Sequence, residues 1–209
     1  MPLQTPPDRL HFILQRAPED VFEPDYVSDV PLVQFVAFGR DHRVFGWIRL
    51  RADRLTDLLN THEELLLTNV EIESLEDGAM RSVDEVLIRR GDLIAVHASG
   101  PRGDGQRRRR TRAHAIAIQS GNYLIGGYLH SPPGSDPIAN MGERPLMVPL
   151  TDAWIEYWSG AERKHHSIGT IIVNRDAVAW MRVVTDEDLI GGELRPTLPT
   201  VANLMARPG

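Results

Sequence analysis

Between residues 32 and 98 the chain sets short apolar runs between polar breaks of a few residues each. "PLVQFVAFGRDHRVFGWIRL" holds two such runs around a polar turn at Arg40 to Arg43, the signature of a β-hairpin. In "ADRLTDLLNTHE", Leu55, Leu58 and Leu59 fall at i, i+3 and i+4 behind Asp53, which predicts a short helix with Asp53 as N-cap. A strand at "ELLLTNVEIESL", a turn at "EDG" and two strands in "VDEVLIRRGDLIAVHAS" complete the run. The last two pivot on Arg90, Gly91 and Asp92, where Gly91 is expected to supply the positive φ of a tight turn.

The same order of patterns returns further along. "AHAIAIQSGNYLIGGYLH" repeats the hairpin, with Asp41-x4-Gly46 echoed by Gly121-x4-Gly126, and the proline-rich "SPPGSDPIANMGE" stands where the helix was. "PLMVPLTDAWIEYW" repeats the third strand, setting Thr68-Asn69-Val70 against Thr151-Asp152-Ala153, and "GTIIVNRDAVAWMRVV" repeats the closing pair. Five short strands joined by tight turns are too few for a stacked sandwich and fit a strongly bent sheet that closes on itself. Gly46 and Gly126 lie inside strand patterns, where a missing side chain relieves crowding at a bend. The expected fold is therefore mainly β: two tandem small five-stranded barrels, with a short helix inserted in the first.

Composition changes that picture mainly at its edges. The 209 residues are 42% hydrophobic and 25% charged, ordinary for a soluble globular chain, and no run approaches the roughly 18 apolar residues of a membrane span. The absence of cysteine excludes disulfides and thiolate chemistry, and together these features point to a cytoplasmic protein. The net charge is -6, yet six arginines against one aspartate fall between Arg102 and Arg112 in "PRGDGQRRRRTR". This segment lies where the first repeat ends and the second begins. Its glycines and charges read as a linker, which could pair with the acidic arm around "PEDVFEPDYVSD" or contact phosphates through its guanidinium groups. The boundaries follow: a proline-rich acidic arm over 1–30, barrels over 31–99 and 113–185, the arginine linker over 100–112 and a tail over 186–209.

Candidate chemistry is sparse. His165 and His166 are adjacent, so on a strand they face opposite ways, and His62-Glu63-Glu64 lacks the second histidine of a zinc-protease helix. No Gly-x-Ser-x-Gly, phosphate loop or dinucleotide fingerprint occurs, so neither catalytic residues, nor a metal, nor a cofactor are expected. Trp154 and Trp158 share one strand face with Glu156 between them, which reads as a core wall or a partner surface.

Two stretches carry a family resemblance. "LVQFVAFGRDHRVFGWIRL" resembles the first Sm motif and "EVLIRRGDLIAV" the second, whose centre is an isoleucine, arginine and glycine before an apolar strand. "IQSGNYLIGGYL" is similar to the first motif again, while "TIIVNRDAVAW" carries Asn174-Arg175 where Arg90-Gly91 stands. The resemblance covers roughly residues 32–98 and 113–184. It implies two Sm-like modules, which associate edge to edge into homo-oligomeric rings, and RNA or another polyanion as ligand. Arg90 carries over as the RNA contact of the second motif, with a solvated side chain as the alternative. Asn60 and Asn140 do not map onto the family's base-binding loop. Arg107, Arg108, Arg109, Arg110 and Arg112 are the remaining candidate nucleic-acid contacts, and Gly46, Gly91 and Gly126 the candidate structural turns. The function expected is a non-catalytic binding or assembly module; the alternative is a scaffold that binds no nucleic acid.

Overall fold

The computed structural model describes residues 30–101, 110–139 and 141–191. The expected arm, most of the arginine linker, Asn140 and most of the tail lie outside these residues. The fold is mainly β, a single ten-stranded antiparallel sheet with two short helices.

The first half contributes β1 (Leu32–Gly39), β2 (His42–Arg49), α1 (Leu55–Thr61), β3 (Glu64–Ser74), β4 (Met80–Arg89) and β5 (Leu93–His97). The second contributes β6 (Arg112–Ser120), β7 (Tyr123–Ser131), β8 (Met147–Ser159), β9 (Glu162–Asn174), β10 (Trp180–Val183) and α2 (Asp186–Gly191). The first hairpin turn is only Arg40 and Asp41, so Arg43 belongs to β2 and not, as its polarity suggests, to the turn. The N-cap of α1 is Arg54, one residue after Asp53, and its side chain makes no capping hydrogen bond. Instead, Arg54 Nε pairs with Asp57 Oδ2 in the first turn at 3.0 Å.

The strand order across the sheet is β10-β6-β7-β8-β9-β5-β1-β2-β3-β4. Each half therefore has the same internal order, with its fifth strand beside its first and its fourth at the far end. The sheet is open, and this corrects the expectation of two closed barrels. The strand that would close the first barrel, β5, is paired with β9 of the second half, through Ala95↔Val173, Val96↔Ile172 and His97↔Ile171.

Local features recur at matching places. Among the described residues, Asn69 in β3 and Asp152 in β8 are the two non-glycine residues with positive φ, 50° and 45°, and each sits at a register shift. Asn and Asp tolerate the left-handed region best, and the bulge they form bends the strand. Across from them, Trp47 pairs with Thr68 and Tyr128 with Thr151, which makes Gly127, not Gly126, the counterpart of Gly46. A Cβ on Gly46 would stand 3.2 Å from Val70, and one on Gly127 would stand 3.0 Å from the matching Ala153.

Two main cores lie beneath the sheet, and each borrows from the other half. The first gathers Phe35, Leu67 and the α1 leucines, and takes in Met147 and Ile172 from the second half. The second is built on Ile118, Ile125 and Tyr157, and takes in Phe38, Leu75, Ile94 and Ala95 from the first. A third, smaller cluster lies where Leu189 of α2 covers Ala115, Ala117 and Trp154.

Candidate functional site: the seam and the sheet ends

The join between the halves is the most elaborate polar construction among the described residues. Asn60, at the end of α1, holds Met147 of β8 from both sides: its Oδ1 accepts from Met147 N at 3.0 Å, and its Nδ2 donates to Met147 O at 2.9 Å. Tyr123 donates its hydroxyl to Gly39 O at 2.7 Å, and Asn174 Nδ2 donates to Leu93 O at 2.9 Å. At the hairpin tips, Gly160 N donates to Leu75 O at 2.8 Å.

Beside these bonds lies a buried ion pair. Arg43 Nη1 is 2.9 Å from Glu73 Oε2, and the two side chains are only 11% and 12% exposed. The other carboxylate oxygen, Oε1, accepts from Ser159 Oγ of the second half at 2.7 Å. The guanidinium also stands over three rings, Phe45 at 4.5 Å, Tyr157 at 5.1 Å and Phe38 at 5.4 Å. Phe38, Tyr123 and Tyr157 meet in turn with centroids 5.5–5.8 Å apart. The arrangement desolvates a charge pair and compensates it by hydrogen bonds to Glu73 and by three ring faces, while the buried Arg43 Nε is left without a hydrogen-bond partner.

Burial governs the titration of this region. It pushes the Tyr157 hydroxyl up to about 12 and the Tyr123 hydroxyl well above the usual tyrosine range. His166, whose Nε2 lies 3.1 Å from the Tyr157 hydroxyl, is held below the ordinary imidazole value by burial and then by the nearby Arg43. His97, in β5 at the join, is lowered by burial alone. The unfolded chain therefore binds more protons at these histidines than the folded one. Their contribution to stability is complete above about pH 6.5 and is lost as pH falls through that value toward the depressed ones. Urea midpoints measured between pH 8 and pH 5 should fall over that window, and a His97→Gln, His166→Gln double variant should flatten the fall.

Arg90 is engaged with the end of α1. It opens a single 3₁₀ turn between β4 and β5, and its Nη1 donates to Leu59 O at 3.2 Å and Asn60 O at 3.1 Å. Those carbonyls end α1, which has no basic residue in its own last turn, so Arg90 supplies the missing donor and positive charge. Arg175 does the same in the second half: it opens the matching 3₁₀ turn and donates through Nη1 to Met141 O, at 3.1 Å, and to Gly142 O. Arg175 is thus the counterpart of Arg90, one residue from the alignment the sequence suggests. Arg90→Ala should cost about 1.5–3 kcal/mol in chemical denaturation, the range for hydrogen bonds involving a charged group.

Gly91 lies in the 3₁₀ turn over Arg90–Asp92, but it does not supply the positive φ expected of it. Its φ is not in the left-handed region, and a Cβ there would meet nothing within 4 Å. Asp176 occupies the matching position in the second half. Gly91→Ala should leave the urea midpoint unchanged or raise it slightly, because the unfolded chain loses entropy that the folded one never used. Gly126, by contrast, is required, because a Cβ there would stand 2.5 Å from Trp154 Nε1.

Of the linker arginines, Arg107, Arg108 and Arg109 fall outside the described residues, while Arg110 and Arg112 are exposed where β6 begins. Trp154 is 7% exposed beneath α2, its Nε1 donating to Leu189 O at 2.9 Å, whereas Trp158 is 56% exposed. Among the described residues no three acidic or histidine side chains are grouped to hold a metal ion, and no helix is long and apolar enough to cross a membrane. No family model, curated protein or solved structure matches the chain.

The seam residues escaped the sequence reading, which placed Arg43 in a turn and left Asn60 without a role. One signal for the seam was present: "IIV" in β9 and "LIAV" in β5 are continuous apolar runs, as expected of strands covered on both faces. The sheet ends read differently. β4 sets Arg81, Asp84, Glu85 and Arg89 around a three-residue apolar run, Val86 to Ile88, and β10 is four residues long. Met80 on β4 and Val183 on β10 are each 52% exposed.

Proposed function

We propose that the chain is a non-catalytic assembly module, two Sm-like units in one polypeptide, that joins copies of itself edge to edge. One observation carries this reading: the halves are joined by a fifth strand, β5, paired with a fourth strand, β9, and the sheet ends on another fourth strand, β4, and another fifth, β10. The chain thus displays at its two ends the same two strand positions it pairs at its centre. Such a contact is head-to-tail, so repeated association gives a ring where the rotation closes and a filament where it does not. Edge strands left open are a hazard that proteins cover or block, and each such contact covers one open edge from each of the two copies.

Sedimentation velocity over a hundredfold range of concentration tests the reading. The native chain should sediment as species larger than its 23.5 kDa, with the smallest retained only at high dilution. Leu87→Lys, which sets a charge on the half-buried outer strand, should hold it at one chain without lowering its unfolding midpoint. A native chain that stays at one copy throughout overturns the reading.

The exposed Arg110 and Arg112 support polyanion binding, with RNA as the ligand the resemblance implies, as a property added to that assembly. A fluorescent oligonucleotide should then bind at low salt, weaken steeply as salt rises, and weaken again when residues 107–110 are all alanine. Arg90, whose Nη1 is bonded to two carbonyls at the end of α1, should leave that affinity unchanged when it is replaced. Absence of binding at low salt leaves a scaffold without nucleic acid.

A further inference from the structure

The two main cores are not equally complete. In the first half, Ala37, Leu93 and Val96 line one end of the core, and Ile172 and Met147 of the second half close it; all five are at most 3% exposed. In the second half the matching residues are Ile118, Val178 and Met181. The register fixes this match, because Met181 pairs with Ile118 as Val96 pairs with Ala37. Here the end is not closed. A small cavity lies at this place in both halves, beside Ala37 and Leu93 in the first and beside Ile118 and Val178 in the second, and what differs is exposure: Leu93 and Val96 are at most 3% exposed, whereas Val178 and Met181 are only half-buried. Nothing among the described residues takes the place that Ile172 takes in the first half.

Resting on the assembly reading above, we infer that this notch is a docking site for Leu87 of a second copy, which completes the second core as Ile172 completes the first. Leu87 is the residue that matches Ile172: Leu66 pairs with Leu87 in β3–β4 as Pro149 pairs with Ile172 in β8–β9. It is half-buried on the strand at the opposite end of the sheet. Carried over from the central join, where Val96 faces Ile172, the register between copies is Trp180↔Ile88, Met181↔Leu87 and Arg182↔Val86. The join between copies is also weaker than the one within the chain. Glu64 stands where Met147 plugs the first core, so only one of the two apolar plugs is present, and Leu124 stands where Arg43 anchors the ion pair. Assembly is accordingly reversible and set by concentration, whereas the central join is permanent.

Because the native chain has no cysteine, the register can be read by crosslinking. A chain carrying Leu87→Cys is mixed with one carrying Met181→Cys under a mild oxidant, and separately with one carrying Arg182→Cys; a Val96→Cys, Ile172→Cys chain reports the central register. Directly opposite residues on antiparallel strands lie within disulfide reach, and a neighbour on the other face does not. The Met181 mixture should give at least tenfold more covalent dimer than the Arg182 mixture, and Leu87→Ala should weaken self-association at least tenfold with no change in single-chain unfolding. Equal yields from the two mixtures, with native chain that still assembles, overturn this inference and leave edge pairing standing. A native chain that does not assemble overturns both.

Discussion

Glu73→Ala destabilises the protein by about 3–5 kcal/mol, the largest loss expected from any single charged residue described here. The carboxylate sits in a nearly dry site, bonded through one oxygen to Arg43 and through the other to Ser159 of the opposite half. Its removal strands a guanidinium that is 11% exposed among three aromatic rings, with no water shell to replace the lost partner. The penalty belongs to the uncompensated charge more than to the pair. Arg43→Met with Glu73→Leu, which removes both charges and keeps the volume, should accordingly recover most of the loss. Urea denaturation of the two single variants and the double variant gives the coupling directly. A Glu73→Ala midpoint equal to the native one contradicts the assignment of this pair as a buried anchor of the join.

Gly126→Val costs about 3 kcal/mol, at the upper end of overpacking effects, because the new side chain meets a ring that has nowhere to go. Added carbon at this position falls 2.5–2.6 Å from Nε1 and Cζ2 of Trp154. The indole is held in turn by the Leu189 carbonyl of α2, and displacing it uncovers Ala115 and Ala117 as well. The effect should be relieved when Trp154 is also replaced by leucine, although that variant starts from a lower stability of its own. Circular dichroism and urea midpoints on the four members of this cycle check the coupling. An additive cycle contradicts the proposed clash.

The contrast between Gly126 and Gly91 shows where the sequence was legible. Glycine inside a strand marks a close approach, and that inference holds at Gly126 and at the Gly46 and Gly127 pair, because the strand pattern fixes what surrounds them. Gly91 invites a positive φ, yet a 3₁₀ turn serves the same pivot with ordinary angles, as Asp176 does in the second half. The strands themselves were legible from alternation and turn residues, and Asn69 and Asp152 could be aligned before their shared backbone angle was known. What could not be read was the choice of partner for β5. Whether that strand closes on β4 or runs on to β9 is decided by side chains more than 70 residues away, and periodicity within one segment carries no information about them. Arg90 was hidden for a related reason. Its value lies in two carbonyls at the end of a helix, and a helix end's need for donors becomes visible only when the helix is placed.

Hydrogen exchange, followed strand by strand while the native chain is diluted, tests the central claim most directly. The amides of β5 and β9 should be protected at every concentration, since their pairing lies within one chain. The amides of β4 and β10 that point away from β3 and β6 should exchange freely at high dilution and become protected together as concentration rises. Exchange at β4 and β10 that ignores concentration, or free exchange at β5 under all conditions, contradicts the account.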